Sequence, residues 1–247
     1  MNRKIFLLLI TISILSCNKK SDVKATVSVK DTLNKNAFQE EYEESEGEGF
    51  GVSLKELQFP KTGKNVEAFV LDPCEIKMKA EGFLNDDNLK DIVIVLQNRD
   101  NREDSRATLI LFQQEGGGYK LQELSWEAVG PEYPDNYILS EISIDTERKL
   151  HILLEGSGPV GNREATYKFI NDKFVLINIG TFHTGAGSWL SSEYDLISGK
   201  YDHEVTNTLH DSLPSEHQIG EFKLKRQMLF ANDNPDTIVE TLPHANW

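Results

Sequence analysis

Short apolar stretches with period-two alternation dominate the chain from residue 52 onward. Apolar and polar positions alternate over residues 66–71, 76–80 and 107–112, a spacing that sends successive side chains of a strand to opposite faces of a sheet. Residues 92–96 form an unbroken apolar run, which is typical of a strand buried on both faces. No long segment repeats its apolar positions with the helical period, so the pattern predicts an all-β domain.

Turn residues between apolar stretches predict three hairpins, centred on residues 145–148, 171–172 and 198–199. A glycine-rich segment, residues 180–187, is expected to form a long hairpin loop. Successive hairpins of this kind favour an antiparallel meander, arranged as a propeller, a β-sandwich or an open barrel.

The amino terminus has the pattern of an export signal. Arg3 and Lys4 precede an uncharged, mostly apolar run over residues 5–15, which is shorter than the about 20 residues that a membrane-spanning helix needs. The run closes on Ser16-Cys17, so residues 1–16 are predicted to be a signal peptide. An ordinary signal peptide and a short transmembrane anchor stay open as alternatives.

This ending resembles the bacterial lipobox, in which a small residue precedes an obligate cysteine. The resemblance implies cleavage before Cys17 and lipid attachment to it, and two or three acyl chains give a stable anchor. Asn18 follows the cysteine, which implies the outer membrane of a Gram-negative cell, on its periplasmic or its outer surface. The charged run at residues 19–22 is similar to the export tags of Bacteroidota lipoproteins.

Composition divides the remaining chain into an acidic tether, residues 17–50, and a single all-β domain, residues 51–247. The tether is rich in charged residues, and such segments stay extended. Loss of Arg3 and Lys4 with the signal peptide would bring the formal charge from −14 to −16. This charge argues against nucleic acid as a partner and suits a monomeric envelope protein, or one whose partner is a cationic protein.

Cysteine usage indicates that the domain has no disulfide framework. Cys17 and Cys74 are the two cysteines, and if Cys17 carries lipid then Cys74 has no partner within the chain. Cys74 is expected to be a small buried hydrophobic side chain.

One loop carries the pattern of a metal site. Asn85, Asp87 and Asp91 place side-chain oxygens at near-alternating positions just before the 92–96 run, and the Leu89 carbonyl oxygen is a fourth candidate ligand. Oxygens at such spacing suit a hard cation such as Ca²⁺. In the alternative interpretation the same side chains cap the turn by hydrogen bonds. No other cofactor is expected.

The loop resembles the calcium loop of integrin-like FG-GAP or VCBS repeats, D-x-[DN]-x-[DN]-G-x-x-D. Asn85, Asp87 and Asp91 match the third, fifth and ninth positions, whereas Phe83 replaces the first Asp and Asn88 replaces the Gly. The resemblance covers roughly residues 66–205 and implies a propeller-like fold with degenerate blades. It implies no chemistry, because a fold does not determine a function.

Catalytic patterns are absent from the sequence. The histidines lack HxH or HExxH spacing and are expected at the surface, and Ser157 is not in a G-x-S-x-G motif. Two loops are candidate partner-binding surfaces: one contains Ser157, Gly158 and Arg163, and the other leads to Trp189, whose residue type is common in binding hot spots. The alternative places these residues in ordinary turns and Trp189 in the core.

These features favour a lipid-anchored envelope protein that acts as a non-enzymatic binding module. A narrower alternative is an inhibitor or immunity protein against a cationic peptidoglycan-degrading enzyme. A third is a hydrolase whose site is assembled from separated loops.

Overall fold

A computed structural model of the chain describes residues 52–131, 138–156, 158–185, 187–209 and 215–244. The predicted signal peptide, the tether with Cys17, and Ser157 lie outside the described residues. Within these ranges the strands are β1 (Thr62–Gly63), β2 (Cys74–Gly82), β3 (Asp91–Asn98), β4 (Ala107–Gln113), β5 (Tyr119–Ser125), β6 (Ile138–Ile144), β7 (Lys149–Glu155), β8 (Asn162–Ile170), β9 (Lys173–Gly185), β10 (Ser188–Asp195), β11 (Lys200–Asn207), β12 (Glu216–Glu221) and β13 (Met228–Leu229). The helices are α1 (Pro235–Val239) and the 3-10 helices Leu54–Glu56, Val66–Phe69 and Gly158–Val160.

The first sheet has five antiparallel strands in the order β1-β5-β4-β3-β2. Its strand β3, which lies between β4 and β2, is buried along its whole length, as the unbroken apolar run predicts. Val93 and Val95 face one core, whereas Ile92, Ile94 and Leu96 face another. This sheet therefore lies between two apolar layers.

The second sheet has eight strands, of which seven follow one another in chain order from β6 to β12. The short strand β13 pairs with β9. The three predicted hairpins are confirmed as β6–β7, β8–β9 and β10–β11. Each turn has a residue with positive φ, namely Arg148, Asn171 and Gly199, a conformation that glycine and asparagine adopt at low cost.

The two sheets share the larger core. Val93, Val95 and Ile110 of the first sheet pack in one cluster with Leu150, Ile152 and Tyr167 of the second. The smaller core lies on the other side of the first sheet, where Leu54, Val66 and Phe69 of the two N-terminal 3-10 helices cover it. Cys74 is buried in that smaller core, as expected, and burial raises the pKa of its thiol to about 11.

The predicted all-β class and antiparallel meander are confirmed, but the propeller-like arrangement is not. A propeller divides its strands into separate blades around a channel, whereas β6 to β12 form one continuous open sheet. Two open sheets with a shared core fit the sandwich-like alternative. Local turn signals predict each hairpin but do not say whether successive hairpins join.

Two local expectations differ from the structure. Residues 66–71 begin with a 3-10 helix, because Val66 and Phe69 are buried at a spacing of three rather than two. The glycine-rich segment is mostly strand, since β9 continues to Gly185 and β10 begins at Ser188. Helix α1 is too short to show a period, although Asn234 caps it by accepting hydrogen bonds from the Asp236 and Thr237 N–H groups.

In the described part of the chain, no helix combines the length and apolar character that crossing a membrane requires.

Candidate functional site

The outer face of the second sheet carries an exposed line of carboxylates. Cross-strand pairing aligns six neighbouring strands in the register Glu141, Leu153, Glu164, Gly180, Glu193 and Asp202. The four acidic residues of this line, Glu141, Glu164, Glu193 and Asp202, are all exposed, and we call them the acidic row. The line crosses five strand spacings, so its ends lie about 24 Å apart.

Gly180 makes room for Glu193 in the acidic row. A Cβ atom at residue 180 would lie 2.7 Å from Glu193 Oε1, so the Glu193 carboxylate extends over strand β9. Desolvation raises the pKa of Glu193, and the negative charges of Glu164 and Asp202 raise it further, against a hydrogen bond with Asn178. The carboxylates of the row therefore repel one another, and a bound cation would relieve that repulsion.

An imidazole lies beside the acidic row, within a small pocket of about 90 Å³ that Glu141, Ser143 and Glu164 help to line. His151 Nδ1 is 2.7 Å from Glu164 Oε1, and Nε2 is 3.1 Å from Asp145 Oδ2. Both ring nitrogens of His151 therefore face carboxylate oxygens. Desolvation by itself would raise the pKa of the Asp145 carboxyl. Hydrogen bonds from the Lys149 N–H and from His151 outweigh it and hold that pKa below its ordinary value.

An aromatic pair stands on the same face, next to the acidic row. Trp189 is 53% exposed, and its ring centroid lies 6.5 Å from that of Phe182. Phe182 is in the register line next to the acidic row, because its strand partner is Ser191. An exposed Trp beside charged residues is a common anchor in protein interfaces.

Of the predicted partner-binding residues, the three that the structure describes, Gly158, Arg163 and Trp189, do not come together on one surface. Arg163 is 1% exposed and turns to the inner face, where its Nε lies 2.9 Å from Asp236 Oδ1 and its Nη2 3.2 Å from Asp236 Oδ2. Trp189 is on the outer face, and Gly158 begins a 3-10 helix. Alternation with the buried Ala165 and Tyr167 indicates the inward direction of Arg163, a signal that the sequence contains.

The predicted metal loop uses its side-chain oxygens within the loop. Asn85 Oδ1 accepts from the Asp87 N–H at 2.9 Å, and Asp87 Oδ1 accepts from the Leu89 N–H at 2.8 Å. Asn88 adopts a φ of 60°, as the position of the replaced glycine requires. Phe83 is 41% exposed, so its ring does not fill the loop.

Asp91 and Arg148 complete the surroundings of this loop. The buried Asp91 carboxylate accepts hydrogen bonds from the Leu84 N–H at 3.0 Å and the Gln113 N–H at 3.1 Å, and burial raises its pKa to about 6. Arg148 Nη1 donates to the Asn85 carbonyl oxygen at 2.7 Å and contacts Asp86. Across the described ranges, no group of three or more His, Cys, Asp or Glu residues is arranged to hold a metal ion.

A Ser–His pair that the sequence pattern does not indicate lies on the inner face. Ser192 Oγ is 2.8 Å from His203 Nδ1, and the His203 ring stacks on His244 at 4.4 Å. The expectation that His203 is a surface residue is wrong, since it is 7% exposed and Ser192 is 1% exposed. Its inward direction, opposite to Asp202 and Glu204, agrees with strand alternation.

The chain matches no protein-family model, no curated protein and no solved structure. The acidic face of the second sheet is therefore interpreted from its own geometry and charge.

Proposed function

We propose that this chain is a lipid-anchored bacterial envelope protein that acts as a non-enzymatic binding module for a cationic protein. The observation that carries the proposal is the acidic row, four exposed carboxylates on one face of an open sheet. Complementary charge accelerates association and selects partners. Trp189 and Phe182 would supply the apolar contact that charged residues lack.

The proposed anchor is Cys17, in the outer membrane, with the acidic tether holding the domain away from the lipid. The support is the sequence pattern of residues 1–17. The test is fractionation of cells that express the full chain or its Cys17→Ser variant. We expect the unsubstituted chain in the membrane fraction with an acyl-modified amino terminus, and the variant without acylation. An unmodified Cys17 in the membrane-bound chain would refute the anchor.

The docking surface is tested with two matched sets of substitutions. Glu141→Gln, Glu164→Gln, Glu193→Gln and Asp202→Asn neutralise the acidic row. Glu56→Gln, Glu67→Gln, Glu103→Gln and Glu115→Gln change the net charge equally at exposed positions outside the second sheet. Binding of a basic lysozyme, and of a basic cytochrome of similar size, is measured by titration calorimetry.

We expect the acidic-row set to weaken binding about tenfold or more, since four exposed charge contacts are worth about 0.2–1 kcal/mol each. The control set should bind nearly as the unsubstituted chain does. Equal loss in both sets would show that net charge alone acts, and would refute a docking surface.

The narrower candidate function, an inhibitor or immunity protein, predicts a loss of enzyme activity as well as binding. The chain should then reduce peptidoglycan cleavage by the bound enzyme, and the acidic-row set should restore cleavage. Binding without any loss of cleavage supports the general binding module over the inhibitor.

We propose as well that residues 82–96 are a degenerate FG-GAP-type unit within this sandwich-like domain. The support is local: Asn85, Asp87 and Asp91 lead directly into a fully buried strand, and Asn88 has the left-handed conformation that a glycine would otherwise supply. The proposal concerns origin, and the binding function does not depend on it.

A further inference from the structure

Residues 223–226, Lys-Leu-Lys-Arg, concentrate positive charge in a chain whose formal net charge is −14. They follow strand β12 and precede β13. A local cluster of one sign in a chain of the opposite sign needs its own explanation, because general solubility does not require it.

The cationic run borders two adjacent cavities. One cavity of about 380 Å³ lies between the β10–β11 turn, residues 197–199, and residues 222–227. The other, of about 580 Å³, is lined by residues 223–226 with Met228 and Thr241. Both share Lys223, Leu224 and Arg226, and we call the pair the basic groove. Each volume is within the roughly 300–1,000 Å³ of small-ligand sites.

The walls of the basic groove combine apolar side chains with the charged ones. Phe222, Leu224 and Met228 line it and pack against the larger core, so their positions are set by the fold. Ile197 stands at the rim with 56% of its surface exposed. Leaving such surface in water is unfavourable by about 25 cal/mol per Å², so an apolar occupant would be stabilised here.

The cations of the basic groove differ in their availability. Arg226 is held by Asp233, with Nη2 to Oδ1 at 2.5 Å and Nη1 to Oδ2 at 2.7 Å. Lys223 and Lys225 are exposed, and in the described part of the chain neither ammonium has a hydrogen bond or an ion pair. Two uncommitted ammonium groups beside an apolar cleft are complementary to an anion with an apolar tail.

We infer that the basic groove binds a single acyl chain that ends in an anionic oxygen head group, either a carboxylate or a phosphate. The chain lies against Phe222, Leu224 and Met228, and the head group contacts Lys223 and Lys225. A cleft that is open on one side suits one acyl chain better than a flat membrane surface does. The groove is separate from the acidic row, so this inference goes beyond the proposed function.

The test uses the full chain held in phosphatidylcholine nanodiscs, whose lipid carries no net charge. The probe is a photoreactive decanoate, and mass spectrometry locates the cross-links after irradiation. Unlabelled decanoate, decyl phosphate and decanol compete in separate arms. The variants are Lys223→Gln with Lys225→Gln, and Ile197→Glu at the exposed rim; Lys55→Gln with Lys61→Gln is the control at exposed positions elsewhere.

We expect cross-links in residues 196–199 and 222–228, competition by decanoate or decyl phosphate, and weak competition by decanol. The two Lys substitutions should weaken binding about fivefold, as for two exposed charge contacts; Ile197→Glu should weaken it too, and the control should not. The stronger of the two anionic competitors identifies the head group. Cross-links outside the groove, equal competition by decanol, or an equal loss of binding in the Lys55 and Lys61 control would each overturn the inference.

Discussion

Buried hydroxyl groups on the inner face of the second sheet differ in whether they are hydrogen-bonded. Among the described residues, the buried hydroxyl oxygens of Tyr167 and Thr181 have no hydrogen-bond partner, whereas Ser192 Oγ lies 2.8 Å from His203 Nδ1. A hydrogen bond contributes about 1 kcal/mol, but a buried polar group without one costs free energy. Removing each hydroxyl should therefore have opposite effects.

We expect Tyr167→Phe and Thr181→Val to leave the free energy of unfolding unchanged or to raise it by up to about 1 kcal/mol. Ser192→Ala should lower it by about 1 kcal/mol. Urea denaturation at constant m value measures both. If Tyr167→Phe lowers the free energy of unfolding by more than about 1 kcal/mol, then the Tyr167 hydroxyl is hydrogen-bonded.

Gly161, in the described part of the chain, leaves no room for a side chain. Its φ is 74°, and a Cβ atom there would lie 1.9 Å from the Phe182 carbonyl oxygen. Gly161→Ala should lower the free energy of unfolding by more than about 2 kcal/mol, since backbone must move as well as adopt a strained φ. Gly116→Ala is the control, because no atom lies within 4 Å of the added Cβ. Equal stability of the two variants, measured by thermal unfolding, would contradict this geometry.

At the scale of elements, the ion pair between Arg226 and Asp233 stabilises the connection between β12 and β13. Asp233 accepts from Arg226 and from the Leu229 N–H at 2.6 Å, and Arg226 is the main reason that the pKa of Asp233 is lowered, against desolvation. A carboxyl with a lowered pKa in the folded state stabilises the fold above its unfolded value of 3.8, and this stabilisation is lost as the pH falls through the lower folded value.

Asp233→Asn should therefore lower the free energy of unfolding by about 1–2 kcal/mol at pH 7, the worth of charged hydrogen bonds to a half-exposed guanidinium. The difference from the unsubstituted chain should shrink below pH 4. Denaturant titrations at pH 7, 5, 4 and 3 measure it. A difference in the free energy of unfolding that stays constant with pH would mean that the charge of Asp233 does not stabilise the fold.

The 83–91 loop is a second element whose chemistry can be tested. Asn85 and Asp87 make hydrogen bonds within the loop, and the Arg148 guanidinium already contacts the Asn85 carbonyl oxygen. We expect millimolar Ca²⁺ to give no binding heat in calorimetry and no change in unfolding temperature. Binding heat that disappears in Asp87→Ala would establish the calcium loop and refute this expectation.

Elements with strong local signals are predicted well from the sequence, and elements that depend on distant residues are not. Turn residues at 145–148, 171–172 and 198–199 predict the three hairpins, and the 92–96 run predicts β3. The sequence does not predict the 3-10 helix Val66–Phe69 or the length of β9. Both depend on contacts with distant parts of the chain, which a six-residue alternation or a high glycine content does not reveal. The acidic row is missed for the same reason, since its members are separated by 9 to 29 residues and only cross-strand register aligns them.

At the scale of the whole molecule, the net charge is predictable from composition, but its distribution is not. The sequence shows an excess of acidic residues throughout. The structure places four of them in a line about 24 Å long on one sheet face and leaves Lys223 and Lys225 beside a separate cleft. Net charge attracts a cationic partner to any part of the surface. A local row of carboxylates attracts it mainly within a Debye length of the row, about 8 Å at physiological ionic strength.

This difference gives a salt-dependent prediction. Raising NaCl from 50 to 500 mM should reduce the affinity of the full chain for a basic lysozyme by about tenfold or more, chiefly through a slower association rate. The acidic-row set of substitutions should flatten that dependence, because the charges that attract the partner are gone. Stopped-flow association rates across the salt series measure both effects. If the control set, with the same net charge, flattens the salt dependence as much as the acidic-row set does, then long-range attraction by total charge explains the binding and the arrangement of carboxylates on the sheet does not.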